Sequence, residues 1–392
     1  MRVTISVHGV WHAFDLAEGL SDKGCLKEIH TSHPQRLLKT TLSGRHISTH
    51  ILPEFVYQTG RRLPQFLNNF STWNSPALRW KMQLFDRSVS TSLKPPQTPD
   101  EVFIGYAGAC LSSLRRANSL GYTTVVERAS AHIRTQRNLL EEEFQRTSKS
   151  NPISEQFIHR EEQEYAETDF IVVPSEFAAR SFIDQGINPS KIYTVPLGDD
   201  FSRGSETSPK PSIPEVRDVN EDDRYLLFAG AGSLQKGVHY LLDAWRKAKV
   251  GDADLILAGE IQSEVAPLIE ETNESVHAIG WVDEIDRWYA HADGVVLPSV
   301  HDGFGRVIPE AMNWGVPVIT TKNAGASECV RDGINGYVVE AGDSGSLAKA
   351  IEDLLDEDWK GDIIRDHIES NYRLGDYVNR AVSAYSEMLS EN

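Results

Sequence analysis

A chain of 392 residues is too long for one compact core, and 40% hydrophobic with 24% charged residues is an ordinary globular composition. Net charge is −18, but residues 1–94 carry 12 Lys/Arg against 6 Asp/Glu while the remainder carries 27 against 51. The acidic body excludes general nucleic-acid binding, three scattered cysteines (Cys25, Cys110, Cys329) fit neither a disulfide framework nor a zinc site, and no run of about 18 apolar residues suits a membrane-spanning helix.

From the N-terminus, Met1–Val7 lacks the zones of a signal peptide and reads as a strand, so a cytoplasmic protein is expected. Further short, β-branched runs follow at Val102–Ile104, Thr124–Val126, Phe170–Val173 and Ile192–Val195. A second set lies at Tyr225–Ala229, Leu255–Ala258, Val276–Ile279, Gly294–Leu297 and Val316–Thr320. Amphipathic stretches such as Tyr240–Ala248 separate them, which predicts an α/β protein with two parallel sheets covered by helices on both faces. The division predicted is a first domain over 1–200, a Pro-, Ser- and acid-rich linker or surface excursion over 201–223, and a second domain over 224–370. The tail over 371–392 is helical in pattern and suits a helix crossing back to the first domain.

Segment 60–95 combines Arg61, Arg62, Phe66, Phe70, Trp73, Trp80, Phe85 and Arg87. It reads either as aromatics packed inside the first domain or as an acceptor- or membrane-facing element. The basic first quarter likewise reads as solvated charge, or as a face for an anionic acceptor or the inner membrane surface in peripheral contact.

The most informative stretch runs from Gly294 through Pro298, His301-Asp-Gly-Phe-Gly-Arg306 and Val307-Ile-Pro-Glu310 to Gly315 and Thr320. A buried strand ends near Pro298, a turn follows, and a helix begins. Gly303 and Gly305 leave backbone N–H groups accessible for oxyanions or sugar hydroxyls. Glu310 lies five residues past Gly305, roughly 7 Å along a helix axis. Asp302 and Glu310 are therefore spaced to touch two parts of one elongated ligand.

An acid, seven residues and Glu, set in Gly-Phe-Gly and followed by Ala-Met-x-x-Gly-x-Pro-Val-Ile, resembles the signature of retaining glycosyltransferase family 4. Ala166–Phe177, Lys191–Phe201, Phe228–Gly237 and Glu328–Tyr337 resemble, in order, further segments of that family. The resemblance implies the GT-B fold, two Rossmann-like domains facing a central cleft, and metal-independent transfer from a UDP-sugar or GDP-sugar to a glycan, lipid-linked or small-molecule acceptor with retention and no cofactor. Carried over, Glu310 binds the donor ribose, Asp302 and the Gly303-Phe304-Gly305-Arg306-Val307 turn the transferred sugar, and Lys236 the diphosphate. Gly9 lets backbone approach the phosphate, His132 hydrogen-bonds the donor sugar, and Trp281 either stacks on the nucleobase or packs. The plain alternatives are a solvated helix residue for Glu310, a helix cap for Asp302, a surface charge for Lys236 and a capping residue for His132.

The chain departs from the family at Asp302, one methylene shorter than the usual Glu, and at Ala231, where an Arg is common. Arg306 is a candidate substitute cation or an ordinary surface Arg. The first loop carries one glycine, with His8, Trp11 and His12 making it bulkier. Those departures support one rival, a non-catalytic sugar-nucleotide-binding scaffold; a second rival is a GT-B sugar-nucleotide epimerase, against which the acid–seven–Glu motif argues.

Overall fold

The computed structural model describes residues 1–54, 76–145, 147, 149–201, 212–213, 217–218, 223–272 and 274–391. Most of the predicted linker and, within 60–95, residues Arg61, Arg62, Phe66, Phe70 and Trp73 lie outside the described residues.

The first sheet has seven parallel strands: β1 (Arg2–Val7), β2 (Leu26–Thr31), β3 (Ile47–Thr49), β4 (Glu101–Tyr106), β5 (Thr123–Glu127), β6 (Phe170–Val173) and β7 (Ile192–Thr194), in the order β3-β2-β1-β4-β5-β6-β7. After a two-stranded piece, β8 (Ser212–Ile213) with β9 (Arg217–Asp218), comes a six-stranded parallel sheet. Its strands are β10 (Tyr225–Ala229), β11 (Asp254–Ala258), β12 (Val276–Gly280), β13 (Gly294–Leu297), β14 (Val318–Thr321) and β15 (Gly336–Val339), ordered β12-β11-β10-β13-β14-β15. Two doubly wound, Rossmann-like α/β sheets are the architecture that the strand and helix alternation predicts.

Successive residues of a strand serve opposite faces. Val102, Ile104, Phe170 and Val172 enter one apolar core, which α1 (Ala13–Asp22) shares; Phe103, Val126, Ile171 and Val173 enter a second core. That second core is shared by α2 (Pro76–Ser92), α3 (Leu111–Leu120), α4 (Ile133–Gln145), α5 (Glu155–Glu167) and α6 (Glu176–Asp184). Burial on both faces explains why these strands read as continuous apolar runs.

The second sheet carries α7 (Val238–Lys247), α8 (Ala266–Glu270), α9 (Ile285–Tyr289), α10 (Val307–Asn313), α11 (Ser344–Asp356) and α12 (Gly361–Glu369). The chain passes between the domains twice, side by side: Asp199 N donates to Tyr372 O and Leu374 N to Asp199 O. The last helix, α13 (Leu374–Glu391), then packs on α1, where Gly19 leaves room for Val378. In both sheets the strand order reverses beside the first strand of the domain, so the loops after β1, β4, β10 and β13 open on the same crevice.

Candidate functional site

The second domain supplies two loops to this crevice. The loop after β10 is tied down by Lys236 N donating to Ser233 Oγ at 3.2 Å, and its Gln235 carbonyl accepts from Val300 N at 3.0 Å. The loop after β13 is pinned by Asp302 N to Asn323 O, Gly325 N to Asp302 O and Ala326 N to Phe304 O, with the Phe304 ring buried beneath it. Among the described residues, the backbone N–H groups of Gly303, Phe304 and Gly305 donate to no protein acceptor. Three consecutive free donors are a ready site for anionic or hydroxyl oxygens. Gly305 sits at φ +90°, a conformation a side chain would strain.

Lys236 Nζ forms an ion pair with Asp302 Oδ2, so these two predicted residues meet directly. Eight residues on from Asp302, Glu310 on α10 is held by Tyr289, whose hydroxyl donates to Oε2 at 3.2 Å. Burial raises the Glu310 pKa, while the nearby Arg306 opposes that rise.

The first domain supplies the loop after β1. Thr31 Oγ1 donates to Gly9 O at 2.9 Å and Ser32 Oγ to His8 O at 2.6 Å, which fixes the loop to β2. Trp11 takes φ +37°, a left-handed conformation that costs a bulky residue energy, and its indole remains half exposed. His12 Nε2 lies 2.5 Å from Glu127 Oε1 at the end of β5. An ionised carboxylate only accepts, so Nε2 donates to Glu127, which leaves Nδ1 as the other polar atom of the ring. Next to it, Arg128 is paired with Glu161 at 3.1 Å and donates to Gln136 at 2.7 Å. A cavity of about 310 Å³ lies between the halves. His8, Trp11, His12, Glu127 and Arg128 line it from the first domain; Gln235, Asp302 and Gly303 close it from the second.

The two walls touch. A Cβ on Gly303 would stand 2.2 Å from Ala129 O and 2.5 Å from Ser130 Cα. Ser175 Oγ donates to Gly303 O at 2.8 Å, and Ser130 Oγ lies 3.1 Å from His301 Nε2. Burial pushes the His301 imidazole down to about 3, so the ring at this seam is neutral. Arg306 meets Asp199 at 2.9 Å, Asp15 at 3.5 Å and Glu310 at 3.7 Å.

Asp302, Lys236, Gly303 and Gly9 thus gather at or beside the cavity, while Phe304 serves beneath it as an anchor. Val307 opens α10 and is half-buried against the core. His132 departs from its expected place. It is 3% exposed, its ring packs 5.1 Å from that of Tyr165 and 5.0 Å from that of Phe182, and Nδ1 accepts from Arg134 N. Burial lowers its pKa to about 4, and it does not line the cavity. Ile133, the first residue of α4, lines the cavity, whereas the ring of His132 just before it turns into the aromatic core formed by Tyr165 and Phe182. Trp281 is 82% exposed, which rules out core packing. Ala231 is exposed, and Arg306, partly exposed, is not a free cation but the hub of three carboxylates from both domains. Sequence reading missed the His12–Glu127 pair, because its members stand 115 positions apart and only strand order makes them neighbours.

Residues 223–357 match the model of the family described as Glycosyl transferases group 1. The chain is 29% identical over 223 residues to an uncharacterized 41.2 kDa protein in the cps region of Klebsiella pneumoniae, a match covering 56% of this chain and 62% of that one. It is 30% identical over 183 residues to a lipopolysaccharide 1,2-N-acetylglucosaminetransferase of Salmonella typhimurium, covering 43% and 48% respectively. The chain spans about half the length of the curated relatives it matches. Sucrose-phosphate synthase from Thermosynechococcus elongatus superposes over 100% of both chains with a TM-score of 0.67 at 16% identity. Anabaena HepE in complex with UDP and glucose does so over 99% of this chain and 100% of its own, with a TM-score of 0.66 at 18% identity. The fold is therefore GT-B. Among the described residues no helix is long and apolar enough to cross a membrane.

Proposed function

We propose that this protein is a glycosyltransferase that moves a sugar from a nucleoside diphosphate sugar, a UDP-sugar or GDP-sugar, to an acceptor hydroxyl. One observation carries the reading: the free N–H groups of Gly303–Gly305 stand beside the Lys236–Asp302 pair, at the crevice where both sheets reverse strand order. The family match over 223–357 and the named relatives support it. In this reading Glu310 accepts from the ribose hydroxyls. Lys236 offsets charge on the departing diphosphate, and Asp302 and the 303–305 backbone hold the transferred sugar. The bond from the anomeric carbon to the diphosphate oxygen breaks as the bond to the acceptor oxygen forms. With retention both lie on one face, the diphosphate can take the acceptor's proton, and no metal is required. The resemblance of the Asp302-to-Glu310 segment supports that route.

A second stereochemical reading follows from His12. An imidazole oriented by a carboxylate at 2.5 Å is the usual construction of a general base, and it lines the same cavity. If His12 took the acceptor proton, attack from the face opposite the diphosphate would invert the configuration. NMR of the anomeric proton in the first-formed product separates the two.

The test of the main reading is calorimetric titration with UDP, GDP and ADP without added metal, on wild type and Glu310→Ala. Binding of one nucleotide, weakened about 10- to 100-fold in the variant, is expected for loss of charge-assisted hydrogen bonds. Folded protein that binds none of the three would overturn it. Binding without transfer or donor hydrolysis above background would favour the scaffold reading, and a product that is an epimerised sugar nucleotide the epimerase reading.

A further inference from the structure

We propose that a second pocket, on the first domain between α2 and α5, binds an anionic glycan portion of the acceptor. The inference rests on the glycosyl-transfer reading and assigns that reaction an acceptor class. The pocket holds about 360 Å³, within the range of about 300–1,000 Å³ typical of small-ligand sites. Arg79, Trp80 and Gln83 of α2 form one wall; Gln156, His159 and Gln163 of α5 form the other.

Its position is the first argument. Met82 and Phe157 line both this pocket and the interdomain cavity, so the two share a wall. Gly108 sits at that wall at φ +87°, and a Cβ there would stand 2.9 Å from the Phe157 ring and 3.1 Å from Met82. The pocket is therefore the immediate neighbour of the cavity where Asp302 and Gly303 stand, close enough for one extended acceptor to reach both.

Charge is the second argument. Among the described residues no carboxylate lines the pocket, whereas two arginines do. The charge of Arg160 is neutralised behind the surface by Asp86 at 2.7 Å and Glu164 at 3.4 Å. Arg79 contacts only the neutral amide of Gln156, at 2.8 Å, and among the described residues it has no carboxylate partner. One uncompensated guanidinium in a concave site selects a carboxylate or phosphate substituent. The rest of the lining suits sugar: three glutamine amides each offer donors and an acceptor, and Trp80, 67% exposed, offers an indole to the C–H face of a pyranose. A lipid chain would meet these amides with nothing to satisfy them.

The test uses the full chain, titrated with a tetrasaccharide of alternating glucuronate and N-acetylglucosamine and, separately, with neutral maltotetraose. The uronate tetrasaccharide is expected to bind at least 5-fold more tightly. Trp80→Ala and Arg79→Ala should each weaken it about 10-fold, equivalent to ~1.4 kcal/mol. Both side chains are on the surface, so melting temperature and UDP affinity should stay at the wild-type value. Wild-type protein that binds UDP but neither tetrasaccharide, or binding that both variants leave unchanged, overturns the proposal. Co-sedimentation with phosphatidylglycerol vesicles that depends on Trp80 and is not competed by the tetrasaccharide also overturns it, in favour of a membrane contact. If wild type binds no nucleotide yet binds the uronate tetrasaccharide through Trp80 and Arg79, the transfer reading fails and the glycan site stands.

Discussion

His132 and His12 show how differently one residue type can be used within a single domain. The former is enclosed by Tyr165 and Phe182, the latter faces the cavity beside Glu127. Replacement of His132 should therefore tell on stability and leave nucleotide binding intact. His132→Ala empties a buried aromatic site at a cost of about 2 kcal/mol or more, whereas His132→Phe keeps the volume. The pH dependence has a definite sign. The folded-state pKa of His132, about 4, lies below the model-peptide value of 6.5. Its neutral ring contributes full stability above pH 6.5 and loses it progressively as pH falls toward 4, because the unfolded chain takes up the proton first. Thermal melts at pH 7.5 and 5.0 should show wild type losing more stability than His132→Phe; equal losses would mean that the ring is not the group responsible. His8 and His301, both lowered by burial to about 3, share the sign and should remain in the variant as a background.

At the level of elements, the loop after β13 decides how the two halves meet. Asp302-Gly-Phe-Gly was legible as a turn before a helix, since glycines punctuate the pattern and the helix residues follow in register. That Gly303 also presses on the first domain was not legible. The residues it would strike, Ala129 and Ser130, are ordinary in the sequence, and their nearness exists only once both domains are folded. Because the obstructing atom at 2.2 Å is backbone oxygen, no rotamer change can relieve a side chain there. Gly303→Ala should thus hold the domains apart and weaken nucleotide binding more than 10-fold, visible in the same calorimetric titration. An unchanged affinity would show that the cleft need not be closed at this point. The segment 76–92 divides in the same manner: Phe85 is fully buried and Trp80 exposed, so aromatic content alone could not separate core from surface. Among strands, β2, β3, β8, β9 and β15 were missed: Lys27 and Glu28 interrupt β2, β3 has three residues, β8 and β9 have two each within the span read as linker, and β15 begins inside the turn motif Gly333-Ile-Asn-Gly336.

For the whole molecule, the seam between domains carries several ion pairs and polar hydrogen bonds. Arg306 gathers Asp15, Asp199 and Glu310, and Glu143 of the first domain meets His239 at 2.8 Å and Tyr240 at 2.9 Å in the second. Polar seams of this kind suit domains that open and close. Arg306→Ala leaves three carboxylates facing one another and should shift the free protein toward an open form, seen as a larger radius of gyration in small-angle scattering. Arg306→Lys should restore it only partly, because an ammonium cannot span three partners as a planar guanidinium does. An unchanged radius in Arg306→Ala would mean that this cluster does not hold the closed arrangement.

The sequence by itself determined the two-sheet α/β architecture, through apolar runs long enough to be buried on both faces, and the loop that bears Asp302 with the helix that bears Glu310, through glycines and helix register. Those are properties of neighbours in the chain. Tertiary structure alone decided which histidine faces the cavity, that Lys236 meets Asp302, that Arg306 answers three acids, and that Arg79 and Trp80 line a pocket with no carboxylate among its described residues. Each depends on strand order and domain contact bringing together side chains tens to hundreds of residues apart, and local composition carries no record of such distances.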